Sequence, residues 1–315
     1  IDSKDYFEFT PSILRTLVEP AHSQKIEVLH SDYLHKAHLV KDMVVSVDDK
    51  QVATKTKKYP YDYLIIATGS KYNTPVKAEN LIKATRAKEL KGYSEKLTKA
   101  TSILIIGGGI VGVELAAEII EKFPTKEITI IHAQSELIER NPKRARDYAR
   151  KFLEKRGVKI IFNERVEKFE HRVYTTNNKN KFKSDLAFLC TGIKPNYQPL
   201  ESCFINCLNE RKAVEVNKYL QVNGYSHIFA AGDITAIAEE KTAQSAEKQA
   251  KIVIKNILHR EQQKPLAEYV IKTRPMVISL GKFDGILVKD KIVITGTIPS
   301  LLKNIIELKT MLRYH

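Results

Sequence analysis

The run Ser102-Ile103-Leu104-Ile105-Ile106, followed without a break by Gly107-Gly108-Gly109-Ile110-Val111-Gly112, constrains this 315-residue chain more than any other stretch. An apolar run without polar alternation suits a strand buried on both faces of a parallel sheet. From Val113 to Lys122 the pattern becomes helical, and Phe123-Pro124 stops it. A Gly-x-Gly-x-x-Gly set between strand and helix divides its work among three glycines. Here Gly107 would make the tight turn, Gly109 would let a pyrophosphate approach the backbone, and Gly112 would let helix and strand pack closely. With Val111 in the first helical turn, the pyrophosphate would meet unbonded N–H groups and the positive end of the helix dipole. The bland alternative is a glycine-rich turn without ligand, and the strand and helix around it argue against that.

Strand and helix keep alternating. Glu127 to His132 reads as a strand, Arg144 to Arg156 as an amphipathic helix ended by Gly157, and Val158 to Phe162 and Leu186 to Leu189 as strands. This is the βαβ pattern of an α/β fold. Before it, Met43–Val47 and Gln51–Thr54 flank Asp48-Asp49-Lys50 as a hairpin, and Tyr61 to Ile66 resembles a second buried parallel strand. After it come a strand at Ile228–Ala230 and a helix from about Thr242 to His259. Beyond Pro265 lie short β runs at Val277–Leu280, Gly285–Val288 and Ile292–Ile294 and a closing helix near Ser300–Arg313. That last segment reads as a small separate domain.

Rossmann folds place an acidic residue roughly 20 residues past the fingerprint, where it bonds the ribose 2′-hydroxyl and repels a 2′-phosphate. His132 holds that position, followed by Ala133 and Gln134, with Arg140, Lys143 and Arg144 downstream. Without a carboxylate there, NADPH is expected to be accepted as well as NADH. The competing reading is that His132 merely ends a strand.

Composition excludes more than it assigns. No apolar run approaches the roughly 18 to 20 residues of a membrane-spanning helix. The three cysteines cannot all pair, and Cys203 and Cys207 have no surrounding ligands to make a metal site, so a reducing compartment is expected. A formal charge of +15 admits phosphates, nucleic acid or an anionic membrane as partners. The lysines are scattered, however, so nonspecific nucleic-acid binding is allowed but not favoured.

Three more motifs narrow the architecture. Ala67-Thr68-Gly69 and Cys190-Thr191-Gly192 each end an apolar strand, as at the two crossings between an FAD domain and an inserted NAD(P)H domain. Ala231-Gly232-Asp233 lies between a strand and a helix, where Gly232 lets the backbone come close and Asp233 can bond a ribityl hydroxyl. Together with Ser12 to Pro20, Leu64 to Ser70, Gly107 to Glu118, Ile128 to Gln134, Cys190 to Asn196 and Val216 to Asp233, these motifs carry a resemblance. The chain resembles the two-dinucleotide flavoproteins related to apoptosis-inducing factor and the type II NADH dehydrogenases, most of all their ferroptosis suppressor branch. The likeness runs from Ile1 to about Leu280.

The resemblance implies an α/β fold with two Rossmann-like dinucleotide-binding domains and a small C-terminal α+β domain. Residues 1–96 and 213–265 would bind FAD, 97–212 would be the inserted NAD(P)H domain, and 266–315 the C-terminal domain. It implies FAD contacts from Asp2, Arg15, Lys77 and Asp233 and a backbone contact near Ser31, with Thr68, Gly69, Gly192 and Gly232 lining the cofactors. Glu114 resembles the acid at the flavin–nicotinamide junction, and Gln244 stands at a helix start facing flavin or acceptor. The ordinary alternatives are exposed surface bases for Arg15 and Lys77, a first-turn Glu matched to the helix dipole for Glu114, and an exposed Gln for Gln244. It also implies a preceding βα unit of about 30 to 40 residues with a first glycine fingerprint. The FAD domain is therefore expected to be incomplete in this chain, and a pseudoenzyme that binds NAD(P)H without turnover is the alternative.

By the same resemblance, hydride would pass from NAD(P)H to FAD and electrons onward to a quinone-type acceptor of the ubiquinone or vitamin K class. No Cys-x-x-Cys accompanies the fingerprint, which favours direct transfer from flavin to a small molecule. No obligate protein partner is evident. Leu301, Leu302, Ile305, Leu308 and Leu312 recur at helical spacing among Lys303, Lys309 and Arg313. Such a stripe is expected to be buried on its own domain, although a basic amphipathic helix also suits a membrane surface. The expected location is cytoplasmic, with peripheral attachment to membranes or lipid droplets allowed.

Overall fold

A computed structural model describes residues 1–72, 82–273 and 275–314, and the chain forms two compact units. The larger gathers Asp5–Lys36, Tyr72–Gly192 and Thr273–His315. Its centre is a four-stranded parallel sheet in the order Lys159–Ile161, Glu127–Ile131, Ser102–Ile106, Leu186–Leu189. The apolar run before the fingerprint is its inner strand, and Ile103, Leu104 and Ile105 are buried, as a strand covered on both faces requires. The Ile110–Lys122 and Lys143–Glu154 helices supply the connections.

Two elements of this unit carry little sequence signal. The Lys83–Lys99 helix buries Arg86, Leu90, Ser94 and Leu97, a helical stripe in which two of four positions are polar. Its Arg86 is fully buried between Glu8 and Glu89, each at 2.8 Å. The strands Val166–Glu170, Val173–Thr176 and Lys181–Lys183 form an antiparallel meander whose two outer strands are mostly exposed and whose middle strand buries Tyr174 and Thr176.

The closing segment folds as three antiparallel strands, Met276–Ser279, Gly285–Lys289 and Ile292–Thr295, and the Thr297–Met311 helix. It does not stand apart. The Tyr148 hydroxyl bonds Asp284, and Glu121 accepts the N–H of Lys282 at 2.8 Å. The expectation that its apolar stripe is buried is corrected: Ile298, Leu301, Ile305, Leu308 and Leu312 are all exposed, Leu301 by 62% and Leu312 by 65%. The helix packs on its sheet through the opposite side, where Pro299, Ser300 and Met311 are buried.

The smaller unit gathers Ile1–Lys4, Ala37–Lys71 and Ile193–Lys272. The expected hairpin is present as Val44–Val47 and Gln51–Thr54, with Lys58–Pro60 as a third antiparallel strand. The Asp48 carboxylate closes its turn by accepting the N–H groups of Lys50 and Gln51, both at 2.9 Å. Leu64–Ile66 pairs in parallel with Ile228–Ala230. Burial on both faces was expected there, but only Ile66 is buried and Ile65 is 38% exposed. The Ala243–Glu261 helix follows, its first turn capped by Thr242.

Candidate active site

The three fingerprint glycines have three different surroundings. Gly107 holds φ +113°, and a Cβ there would lie 2.3 Å from the Cys190 carbonyl oxygen. A Cβ on Gly112 would lie 1.9 Å from the Gly107 carbonyl oxygen, so helix and turn meet backbone to backbone. A Cβ on Gly109 would meet no protein atom within 4 Å. Turn, open face and close packing are what a pyrophosphate cradle requires. Gly109 is also the N-cap of the Ile110–Lys122 helix and offers no side chain to its first amides, with Val111 half-buried on that turn. The cradle therefore fits an anion.

His132 lies just past the end of its strand at Ile131, so it does more than close the strand. Its ring is buried, and Nδ1 accepts the N–H of Gly108 at 3.0 Å. Of the cations expected downstream, Lys143 pairs with Asp147 at 2.8 Å, and Arg140 and Arg144 are exposed.

One turn into the fingerprint helix stands a buried cluster of charges. Glu114 Oε1 accepts both the Ser279 N–H and the Lys303 ammonium, each at 2.7 Å. Glu114 is thus neither solvated nor a simple complement to the helix dipole. Glu118, one turn further, pairs with Arg15 at 3.2 Å, and burial outweighs that pull and pushes its carboxyl upward. Arg15 also reaches the Asn304 side chain and the Gly281 carbonyl, so its guanidinium is engaged inside the cluster. At the rim His22 meets Glu307 at 3.1 Å. Burial works against charge on Glu307, yet hydrogen bonds from His22 and Ser12 and the charge of Arg15 hold its carboxyl below the usual range.

The smaller unit presents its own candidates. Gly232 holds φ +82°, its N–H bonded to Gln249 at 2.6 Å, and Asp233 accepts the Ser70 hydroxyl at 2.6 Å. Lys241 bonds the carbonyls of Thr235 and Ile237 at 2.7 and 2.9 Å, and burial lowers its ammonium despite Asp233 and Glu239. A carboxylate fixed by a hydroxyl, a half-buried lysine and a capped helix start suit a polyhydroxyl chain and a ring that gains negative charge. Gln244 is exposed on the first turn of that helix. Thr68 and Gly69 are tied to Asn196, which donates from its side chain to the Thr68 carbonyl at 2.8 Å and from its backbone to that of Gly69. Gly69 has a positive φ of 65°, and in the larger unit Gly192 has one of 100°. Asp2 is exposed and accepts the Lys4 N–H. In the larger unit Ser31 is exposed and bonds Asp32. Lys77 lies outside the described residues.

Several of these residues escaped sequence reasoning: Glu118, Lys303 as a partner of Glu114, Ser70, Asn196 and Lys241. Only Glu118 had a local signal. Two carboxylates four apart, set among Val113, Leu115, Ala116, Ala117, Ile119 and Ile120, must each find a cation or stay protonated.

A parallel sheet with a phosphate-binding turn on its inner strand, and a strand–Gly-Asp–helix element in the other unit, define a flavoprotein that binds two dinucleotides. Residues 8–250 match the pyridine nucleotide-disulphide oxidoreductase family, and the chain belongs to it. Ferroptosis suppressor protein 1 of Homo sapiens is 30% identical over 91% of this chain and 80% of its own length. Apoptosis-inducing factor homolog A of Dictyostelium discoideum is 31% identical over 91% of this chain and 78% of its own. Among solved structures, the sulfide:quinone oxidoreductase of Aquifex aeolicus superposes with a TM-score of 0.83 at 21% identity, covering 99% of this chain and 84% of that one. NDH2 of Plasmodium falciparum in complex with NADH gives 0.82 at 16%, covering 99% and 90%. These two share the fold. The chain is an oxidoreductase of this flavoprotein class, with FAD and NAD(P)H as cofactors.

Proposed function

We propose that the chain oxidises NAD(P)H through FAD and delivers the electrons to a quinone-type acceptor of the ubiquinone or vitamin K class. The observation that carries this reading is the open cradle at Gly109 with Glu114 one turn further along the same helix. Gly109 and the first-turn amides would hold the pyrophosphate, while Gly107 and Gly112 fix turn and helix at contact distance. Glu114, clamped by the Ser279 N–H and Lys303, would orient the nicotinamide carboxamide. Asp2, Arg15, Lys77, Asp233 and the backbone near Ser31 are assigned as flavin contacts from the resemblance; to reach the flavin, Arg15 would have to share its guanidinium with Glu118. The start of the Ala243–Glu261 helix would stabilise negative charge on the ring. FAD, when bound, supplies the two-electron chemistry.

The acceptor class rests on two supports. No Cys-x-x-Cys follows the fingerprint or Ala67-Thr68-Gly69, where a dithiol relay beside the flavin would be expected. The Aquifex aeolicus structure of the same fold is a quinone oxidoreductase by name. An exposed apolar stripe beside Lys309 and Arg313 further supports a peripheral membrane surface, where such acceptors dissolve. Among the described residues no helix is long and apolar enough to cross a membrane.

The test is the visible spectrum of the purified protein under anaerobic conditions. A flavin band that bleaches with NADH and returns on adding a short-chain ubiquinone analogue is the expected result. Bleaching that only oxygen reverses would refute the acceptor, and a protein that never bleaches would refute the activity. Sedimentation with anionic vesicles, compared with a Leu301→Glu/Leu308→Glu variant, tests the membrane surface.

A further inference from the structure

The loop after the Glu127–Ile131 strand is latched from three sides to Gly108, the residue between the first two fingerprint glycines. His132 Nδ1 accepts the Gly108 N–H at 3.0 Å, and the Ile138 N–H donates to the Gly108 carbonyl at 2.9 Å. A Cβ on Gly108 would lie 2.5 Å from the Leu137 side chain and 2.9 Å from the His132 ring. Because Nδ1 accepts, the neutral ring carries its hydrogen on Nε2. That nitrogen belongs to a residue only 8% exposed, and it has no hydrogen-bond partner. A carboxylate oxygen of Glu139 lies 3.4 Å away, within ion-pair range though out of line for a hydrogen bond.

Glu139 comes back to the strand end through an unusual turn. Ile138 is buried at φ +43°, a left-handed conformation that a β-branched residue adopts only at a cost of about 1 to 3 kcal/mol. Its bond to Gly108 holds the conformation, as do the Asn141 backbone and side-chain N–H groups, which both reach the Ile138 carbonyl. The strained residue thus sits between the fingerprint turn and the one carboxylate shown against His132.

We propose that Glu139 discriminates between the two nicotinamide nucleotides, taking from this turn the part usually played by an acid at the strand end. The inference rests on the fingerprint being the NAD(P)H site. His132 is the positioning residue: its ring is committed to Gly108, and its unbonded Nε2–H faces the carboxylate. Glu139 is 42% exposed in its side chain, so its carboxylate can also accept from a ribose 2′-hydroxyl. A 2′-phosphate would bring negative charge against it. Of the nearby cations, Lys143 and Arg146 pair with Asp147 and Glu136, while Arg140 and Arg144 are exposed and set a limit on how strongly a 2′-phosphate would be repelled. NADPH would still be accepted, as the missing strand-end acid leads one to expect, but bound more weakly than NADH.

The experiment is equilibrium binding of NADH and of NADPH to the full chain, followed by nucleotide fluorescence, which no tryptophan obscures. The wild type should bind NADH at least tenfold more tightly than NADPH. Glu139→Gln should bring the two within threefold by tightening NADPH, and Glu139→Asp should keep the wild-type order. An unchanged ratio in Glu139→Gln, a wild type without preference, or a wild type that binds neither nucleotide overturns the inference. Binding in the expected ratios without flavin reduction would overturn the proposed activity alone. Turnover with an unchanged ratio in Glu139→Gln would overturn this inference alone.

Discussion

Replacing Gly109 and Gly112 by alanine, one at a time, separates folding from ligand binding within a single motif. At Gly112 the added Cβ lies 1.9 Å from a backbone oxygen that cannot rotate away. Ordinary contact needs roughly 3.4 Å or more, so helix and turn must part by about 1.5 Å; overpacking of this kind costs about 1 to 3 kcal/mol. At about 2 to 4 °C per kcal/mol for a unit of this size, Tm should fall by several degrees. A cradle displaced by more than an ångström should also lose on the order of a hundredfold in productive binding. Gly109→Ala is the opposite case. The residue has φ −71° and ψ −175°, which alanine adopts freely, and no protein atom lies within 4 Å of its Cβ. Removing backbone freedom from the unfolded chain should stabilise the protein by about 0.4 to 1 kcal/mol. The same methyl fills the space where the pyrophosphate would sit. We therefore expect a Tm equal to or above the wild type together with loss of NADH binding, measured by differential scanning calorimetry and nucleotide fluorescence on the same preparation. If Gly109→Ala binds NADH within threefold of the wild type, the fingerprint is not the phosphate site and the reasoning fails.

Arg86→Met leaves Glu8 buried without its cation, and urea denaturation should show a loss of about 3 to 5 kcal/mol; a loss under 1 kcal/mol would mean that Glu8 takes up a proton at little cost. Lys303→Met should slow flavin reduction by NADH roughly tenfold, about 1.4 kcal/mol, in stopped flow. The Kd for NADH should stay within twofold, and an equal loss in both would refute a positioning role for the Lys303–Glu114 pair. N–H groups of Ser102 and Thr101 and the Ser102 hydroxyl hold the Asp185 carboxyl below its usual range. Its stabilisation is therefore present above the unfolded value of about 3.9 and lost as pH falls through the lower folded value. The Tm gap between wild type and Asp185→Asn should be open at neutral pH and close below pH ~4, and a gap that persists there would refute the assignment.

What was legible in the sequence followed local rules. The strand, the three glycines and the helix could be read because burial on two faces, a positive φ and a close approach each admit few residue types. The Lys83–Lys99 helix could not be read, because its buried face runs through Arg86 and Ser94 as well as Leu90 and Leu97. The apolar stripe of the closing helix was read correctly as a stripe and wrongly as buried. Spacing gives the face, but which face meets a neighbour depends on contacts far away in the chain. Glu114 and Glu118 signalled a need for cations, yet the answers lie 189 residues downstream in Lys303 and 103 residues upstream in Arg15. The absence of an acid after Ile131 was also read correctly. Only a left-handed isoleucine brings Glu139 back to that place, and nothing in residue type announces such a turn.

The cysteines bear on the proposed route of the electrons. Cys190 is the one cysteine in the dinucleotide unit, and its carbonyl lies where a side chain on Gly107 would have to go. Burial pushes its thiol up to about 12, so it is not a thiolate at neutral pH and attacks nothing. Cys203 and Cys207 belong to the other unit, and both are free thiols. No Cys-x-x-Cys accompanies the fingerprint or Ala67-Thr68-Gly69, the places where a dithiol would take electrons from the flavin. A flavin reduced here would discharge straight to its acceptor. Turnover would then depend on how an acceptor reaches the flavin, not on a redox relay in the chain. That gives the exposed stripe on the Thr297–Met311 helix a mechanistic consequence. If it docks on a membrane, vesicles should raise the rate with a lipid-soluble quinone and leave the rate with a water-soluble analogue unchanged.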